Sequence, residues 1–391
     1  MTRIENILPF APRAEQFLAD AVAATGLSDF GDEAFPFREG YELFLAELDR
    51  EGRLSTEGAG TTETQIGLML RARLATVAAW KANPGYRDVE IMRPIIITGI
   101  VRSGTTALHH LMAIDSQFLG VPHWMVRAPR PLPPVETWTE APDYQSAKAA
   151  LERMIALAPE MLNDHMMSAD AVEESIFLLA PTFANNMYPT QWTIPRYDAW
   201  YRSIDERHCY RWLADTLKLI GLGQGDRTWL MKNPTDLHAI AAVLDVFPDV
   251  KIIHTHRDPV QAIPSITNLL LSVKRMFEGA NVEPKDILVR EAKFWAEGLA
   301  RTEAVKVRDP NRFFDIRFDD FVADQMGTVE RIYAQFGLEL DGAVADRMRA
   351  WLIANPRRPG TIQRHRAEDF AVDSGFLKET YRNYRLAYGY G

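Results

Sequence analysis

The 391-residue chain is 47% hydrophobic and 25% charged and holds 9 Trp, 19 Phe and 12 Tyr, a composition that supports a sizeable buried core. A formal net charge of −9 argues against a general nucleic-acid or anionic-membrane binder, whose affinity comes from clustered Lys and Arg, so any phosphate site must be local. The lone cysteine, Cys209, excludes an intrachain disulfide and a multi-thiolate zinc site and reads as a half-buried thiol. There is no 18-residue apolar run to span a bilayer, and the start MTRIENILPFAPRAEQF has acids and prolines where a leader needs an apolar stretch, so the expected location is a cytoplasm.

Residues 11–90 read as helices. In TETQIGLMLRARLATVAAW, Ile66, Leu70, Leu74 and Val77 share one face. The expected organisation is a helical N-terminal extension over 1–90 packed on an α/β domain over 91–391. RPIIITGIVRSGTTALHHLM then changes character: a β-branched run from Ile95 to Thr98, a glycine-bounded loop, and a helix-compatible stretch. Further buried strands are predicted at TWLM before Lys232, VKIIHTH before Arg257, and RFFDIRF, with helical stretches such as LHAIAAVLDVF and VQAIPSITNLLLSV between them. Short apolar runs alternating with helices predict an α/β fold with a parallel sheet flanked by helices. Residues 120–225, rich in Pro, Trp and Met, read as a helical and looped insertion between the first two predicted strands, where it would cover an active site.

The segment Gly99-Ile-Val-Arg-Ser-Gly104-Thr105-Thr106 has the glycine spacing of a phosphate-binding P-loop between strand and helix, where backbone N–H groups converge on an anion. Thr105 occupies the position of the nucleoside-triphosphatase lysine, and no apolar strand ends in an aspartate for magnesium, so the loop is expected to bind phosphate without a metal. Arg102 adds a fixed cation. In THRDPVQAIPS a strand delivers Arg257 and a helix places Ser265 about two turns later, a guanidinium and a hydroxyl for a second phosphate. Two phosphate sites imply a bisphosphorylated nucleotide.

With IITGIVRSGTTALHHLM, WLMKNPTDLHAI, FPDVKIIHTHRDPVQAIPS and RHRAEDFAVD in hand, the chain resembles the 3′-phosphoadenosine-5′-phosphosulfate (PAPS)-dependent sulfotransferase superfamily, in particular its bacterial branch with the loop pattern PRSGTT. The resemblance runs from about residue 94 to near the end. It implies a P-loop-like sheet, PAPS as co-substrate, 3′,5′-adenosine bisphosphate (PAP) as product, and no metal. It further implies that Arg102, Ser103, Gly104, Thr105 and Thr106 cradle the 5′-phosphosulfate while Arg257 and Ser265 bind the 3′-phosphate. Lys232 matches the family lysine, whose ammonium neutralises charge on the leaving oxygen. Where the eukaryotic cytosolic branch has its catalytic His, this chain has Pro234.

The base must therefore come from elsewhere. His165 and the Glu173–Glu174 pair, which resemble the bacterial H-x-M…E-E stretch, are candidates, and His123 and His238 remain open. Glu173 and Glu174 are expected in the first turn of the helix containing IFLLA, pointing to different faces, where the helix dipole alone favours acids. His254 and His256 share a strand face but lack a third metal ligand at a plausible spacing, and read as packing that positions Arg257. The basic PRRPGTIQRHRAEDFAV resembles the family's closing loop over the nucleotide, with Arg357, Arg358, Arg364 and Arg366 as alternatives for the contact. Aromatic residues at 123–125 and 187–201 fit either an apolar small-molecule acceptor or core packing. A small-molecule kinase and a non-catalytic nucleotide-binding protein are the competing functions, and a homo-oligomer stays open.

Overall fold

The structure, a computed structural model, describes residues 7–157, 168–356 and 365–391. Its centre is a five-stranded parallel sheet of β1 (Ile95–Gly99), β2 (Phe118–Leu119), β3 (Thr228–Lys232), β4 (Lys251–His256) and β5 (Phe313–Arg317), in the spatial order β2-β3-β1-β4-β5. The fold class is the predicted one. β1 is central and buried along its whole length, which is why it reads as a continuous apolar run instead of an alternating one. The two-residue edge strand β2 escaped prediction because so short a segment has no periodicity; it precedes the inserted region, which thus separates β2 from β3.

Register aligns the carboxyl ends. Ile97 pairs with Lys232, Gly99 with Thr255, and His256 with Arg317, so the P-loop, Lys232 and Arg257 leave the sheet on one edge. Ligands of open α/β sheets bind outside that edge, where the strand order reverses.

The N-terminal helices α1 (Ala14–Thr25), α2 (Arg38–Arg50) and α3 (Thr56–Ala82) form as read, with Ile66, Leu70, Leu74 and Val77 of α3 all buried. They share one hydrophobic cluster with the helices Pro259–Glu278 and Pro284–Lys306. Arg73 ties this layer to the insertion. Its guanidinium donates to the carbonyls of Phe30 (2.7 Å) and Pro181 (2.9 Å) and lies between the rings of Phe37 and Trp212. Burial lowers its pKa to about 9, yet it stays charged at neutral pH. Tyr188, Trp192 and Tyr197 belong to the same cluster, packed on Phe44, so core packing accounts for these aromatics and they offer no acceptor wall.

Candidate active site

The P-loop conformation depends on residues without side-chain bulk and on one that resists it. Gly99 has φ 151°, and a Cβ there would overlap the Thr255 carbonyl of β4. Gly104, at φ 88°, precedes the helix α4 (Thr105–Met112), whose first amides lack intrahelical partners. Arg102 adopts φ 65°, a left-handed conformation that costs a non-glycine residue roughly 1–2 kcal/mol, and strain of this kind clusters at functional sites. The Ser103 hydroxyl is turned inward, bonded to the Ile100 carbonyl (2.5 Å) and the Thr255 hydroxyl (2.6 Å), so this side chain braces the loop against β4.

Three of the predicted anion ligands meet. Arg102 Nε donates to Ser265 Oγ at 3.2 Å, and Arg257 Nη1 donates to the Arg102 carbonyl at 2.6 Å, with the Arg257 guanidinium 4.4 Å from the centre of the Phe318 ring. The following Asp258 caps the helix Pro259–Glu278 through the Val260 N–H and accepts a hydrogen bond from Arg385 at 3.0 Å, which fastens the C-terminal helix Arg382–Ala387 beside Arg257. Of the four tail arginines, Arg357, Arg358 and Arg364 lie outside the described residues; Arg366 is exposed and paired with Glu368.

His254 and His256 are fully buried behind Arg257. His256 bonds Tyr384 (2.9 Å) and Asp315 (3.0 Å) and stacks on Tyr388. Here the structure corrects the sequence reading: Asp315 of β5, with an oxygen 3.7 Å from His254 Nδ1, supplies the third group judged missing, because sheet adjacency and not sequence spacing brings it there. Lys306 already holds both Asp315 oxygens at 2.5 Å, occupying the carboxylate with a protein cation.

Lys232 is 2% exposed and reaches Thr106 Oγ1 at 3.2 Å on one side and the Glu174 carboxylate in a short ion pair on the other. Glu173 instead accepts from His123 Nδ1 at 2.6 Å. Neither acid is in a helix. They lie in an extended stretch ahead of the helix Ile176–Leu179, because Val172 bridges Pro122 and the Glu173 N–H bonds the Val121 carbonyl, so pairing with a distant segment replaces the first helical turn that was expected. His165 lies outside the described residues. His238 is stacked on Phe294 with Nε2 on that residue's carbonyl, and burial lowers its pKa to about 3, which removes it as a base near neutrality. Cys209 is fully buried, not half-buried, and burial pushes its thiol up.

Beneath Lys232 lies a buried network that the sequence did not announce. Asp236 Oδ1 accepts from Tyr210 (2.5 Å) and Asn233 (2.6 Å), and burial raises its pKa to about 7. NPTD reads as an ordinary turn, and Tyr210 stands 26 residues away.

A sequence model of the sulfotransferase family matches residues 94–342, well over half of the chain. The chain belongs to this family. Omega-hydroxy-beta-dihydromenaquinone-9 sulfotransferase Stf3 of Mycobacterium bovis and its counterpart in Mycobacterium tuberculosis are each 25% identical over 271 residues, a stretch covering 66% of this chain and 66% of each relative. The crystal structure of sulfotransferase STF1 from Mycobacterium tuberculosis H37Rv superposes with TM-score 0.86 at 29% identity, over 96% of this chain and 99% of that one. Sulfotransferase STF9 from Mycobacterium avium, at 23% identity, shares the fold with TM-score 0.87 over 99% and 98% of the two chains. The P-loop, Lys232, Glu174 and Ser265 all lie inside the span matched to the sulfotransferase family, whereas Tyr384 and Arg385 lie beyond it. Among the described residues, no helix is long and apolar enough to cross a membrane.

Proposed function

We propose that this chain transfers a sulfuryl group from PAPS to a hydroxyl, or an amine, of a small apolar acceptor by in-line displacement. The observation that carries the reading is the convergence of Arg102, Arg257 and Ser265, from a P-loop, a strand end and a helix, beside a buried lysine that touches the same loop. Two anions are thereby served: the α4 amides with Arg102 and Thr106 suit the 5′-phosphosulfate, and Arg257 with Ser265 suits the 3′-phosphate.

In this reading the acceptor oxygen attacks sulfur as the bond to the bridging oxygen breaks, and negative charge grows on the departing 5′-phosphate. Lys232 faces that charge. An ammonium fixed in a water-poor site stabilises it without reorganising at the moment of reaction. The acceptor's proton leaves toward the wall that carries Glu173 and Glu174. A relative named for a hydroxylated menaquinone supports an apolar alcohol as the acceptor class.

The test is transfer of labelled sulfate from PAPS to a panel of apolar alcohols, phenols, sterols, amines and sugars, alongside thermal shifts with PAP and with Mg–ATP. Label transfer to an apolar alcohol and stabilisation by PAP are expected. Stabilisation by Mg–ATP alone, without transfer to any acceptor, would sink the reading in favour of a kinase.

A further inference from the structure

Glu173 and His123, 50 residues apart in sequence, form the 2.6 Å contact described above, and the backbone around them fixes it. The His123 N–H donates to the Ala171 carbonyl (2.9 Å), the Trp124 N–H to that of Ala169 (3.0 Å), and the Glu173 N–H to that of Val121 (2.8 Å), with Pro122 and Val172 bridged between them. One end of this ribbon is tied to the reaction edge of the sheet by the Ser175 N–H, which donates to the Lys232 carbonyl at 3.1 Å. Two side-chain pairs therefore come from adjacent residues of one stretch, His123 with Glu173 and Lys232 with Glu174.

The wall divides its labour. Glu174 is engaged by Lys232, and the second oxygen of Glu173 accepts the Glu174 N–H at 2.8 Å. Although burial pushes Glu173 up, the hydrogen bonds from His123 and the Glu174 N–H, with the charges of His123 and Lys232, outweigh it and hold the carboxyl below its usual value. An ionised carboxylate only accepts, so His123 Nδ1 must carry the hydrogen, and in the neutral ring the lone pair is on Nε2. The His123 side chain is 21% exposed. The buried imidazoles are placed differently: His109 lies against the Leu230 carbonyl, His238 against that of Phe294, His254 is enclosed with an Asp315 oxygen 3.7 Å from Nδ1, and His256 has both nitrogens engaged.

We propose that His123 is the general base of the reaction and Glu173 its positioning residue, an assignment that rests on the sulfuryl-transfer reading above. The acceptor O–H proton passes to Nε2 while the new O–S bond forms. The S–O bond to the bridging oxygen breaks with its electron pair going to the 5′-phosphate beside Lys232, and the imidazolium is held by Glu173.

Two measurements test this independently. The first needs no turnover: a two-bond ¹⁵N–¹H correlation on ¹⁵N-histidine-labelled wild-type protein above neutral pH, with the His123 signals identified by their loss in His123→Asn. A protonated Nδ1 and bare Nε2, with that preference lost in Glu173→Gln, is expected; a protonated Nε2 in wild type overturns the dyad whatever the enzyme transfers. The second is single-turnover transfer from PAPS. His123→Asn and His123→Ala are expected to slow it roughly 10²–10⁴-fold with PAP affinity unchanged, and added imidazole to restore part of the His123→Ala rate. Glu173→Gln is expected to lose less, with Glu173→Asp recovering some of the loss. Near wild-type rates in both His123 variants overturn the base assignment. Correct tautomers in a wild-type protein that transfers no sulfate to any acceptor would instead refute the sulfuryl-transfer reading on which the assignment rests.

Discussion

The Gly99–Thr106 loop and the wall running from Val121 to Glu174 meet at Lys232 but hold their groups by different means. The loop is local: within eight residues, three positive-φ positions and one inward-turned serine set the backbone, and Arg102 and the α4 amides follow from that geometry. The wall is non-local. Its imidazole and carboxylates are placed by pairing between segments about fifty residues apart and by a bond to the end of β3. In the proposed reading, the donor is bound by a motif and the acceptor is met by a tertiary surface.

Lys232 belongs to both halves, and its removal gives the largest expected effect. Lys232→Ala deletes the cation proposed to face the leaving oxygen and leaves Glu174 without its ion-pair partner. Single-turnover transfer at saturating PAPS is expected to fall by roughly 10²–10³-fold or more, and PAP, which carries the released 5′-phosphate, is expected to bind more weakly by calorimetry. An unchanged rate would remove Lys232 from the reacting centre and break the junction between the two halves.

The same contrast explains what was legible in the sequence. Strands β1, β3, β4 and β5, the P-loop and the placing of Arg257 and Ser265 at a strand end and on the helix after it each follow from a contiguous run whose periodicity or spacing carries its own meaning. Glu173 and Glu174 were legible as candidates but not as conformers, since acids ahead of an apolar helix suit its first turn until a bridge to Pro122 competes. Asp315 was invisible as a neighbour of His254 and His256 because β5 begins 57 residues after β4 ends, and only strand order brings the three together. Trp192 and Tyr197 showed the converse: aromatic content cannot tell a core from a pocket wall.

The buried network below Lys232 gives the next effect, in stability. Burial raises the Asp236 pKa from 3.8 to about 7, so the folded protein binds more protons than the unfolded chain between those values. The stabilisation from Asp236 is fully present below its unfolded pKa and is lost as pH rises toward about 7. Asp236→Asn keeps an acceptor for Tyr210 and Asn233 but cannot ionise. The difference in unfolding free energy between variant and wild type should move in the variant's favour between pH 4 and 8, by on the order of 2–4 kcal/mol. Parallel stability–pH curves from denaturant titrations would show that Asp236 ionises in the folded protein as freely as in the unfolded one.

The smallest effects are expected on the donor side, where several groups share each anion. Arg257→Ala removes the charge-assisted contact proposed for the 3′-phosphate and also the hydrogen bond to the Arg102 carbonyl, so PAP affinity should fall by about 1.5–3 kcal/mol. Ser265→Ala removes a neutral hydroxyl bonded to Arg102 and should cost about 0.5–1.5 kcal/mol. Because both side chains act through Arg102, their effects should not add, and a double-mutant cycle by calorimetry should return a coupling above about 0.5 kcal/mol. Repeating the titrations with adenosine 5′-monophosphate assigns the contact: without a 3′-phosphate, Arg257→Ala should lose clearly less affinity than it loses for PAP, the remainder coming from its bond to the Arg102 carbonyl. An equal loss for both nucleotides would move Arg257 to the 5′ side, and the loop would then serve the whole of the donor by itself.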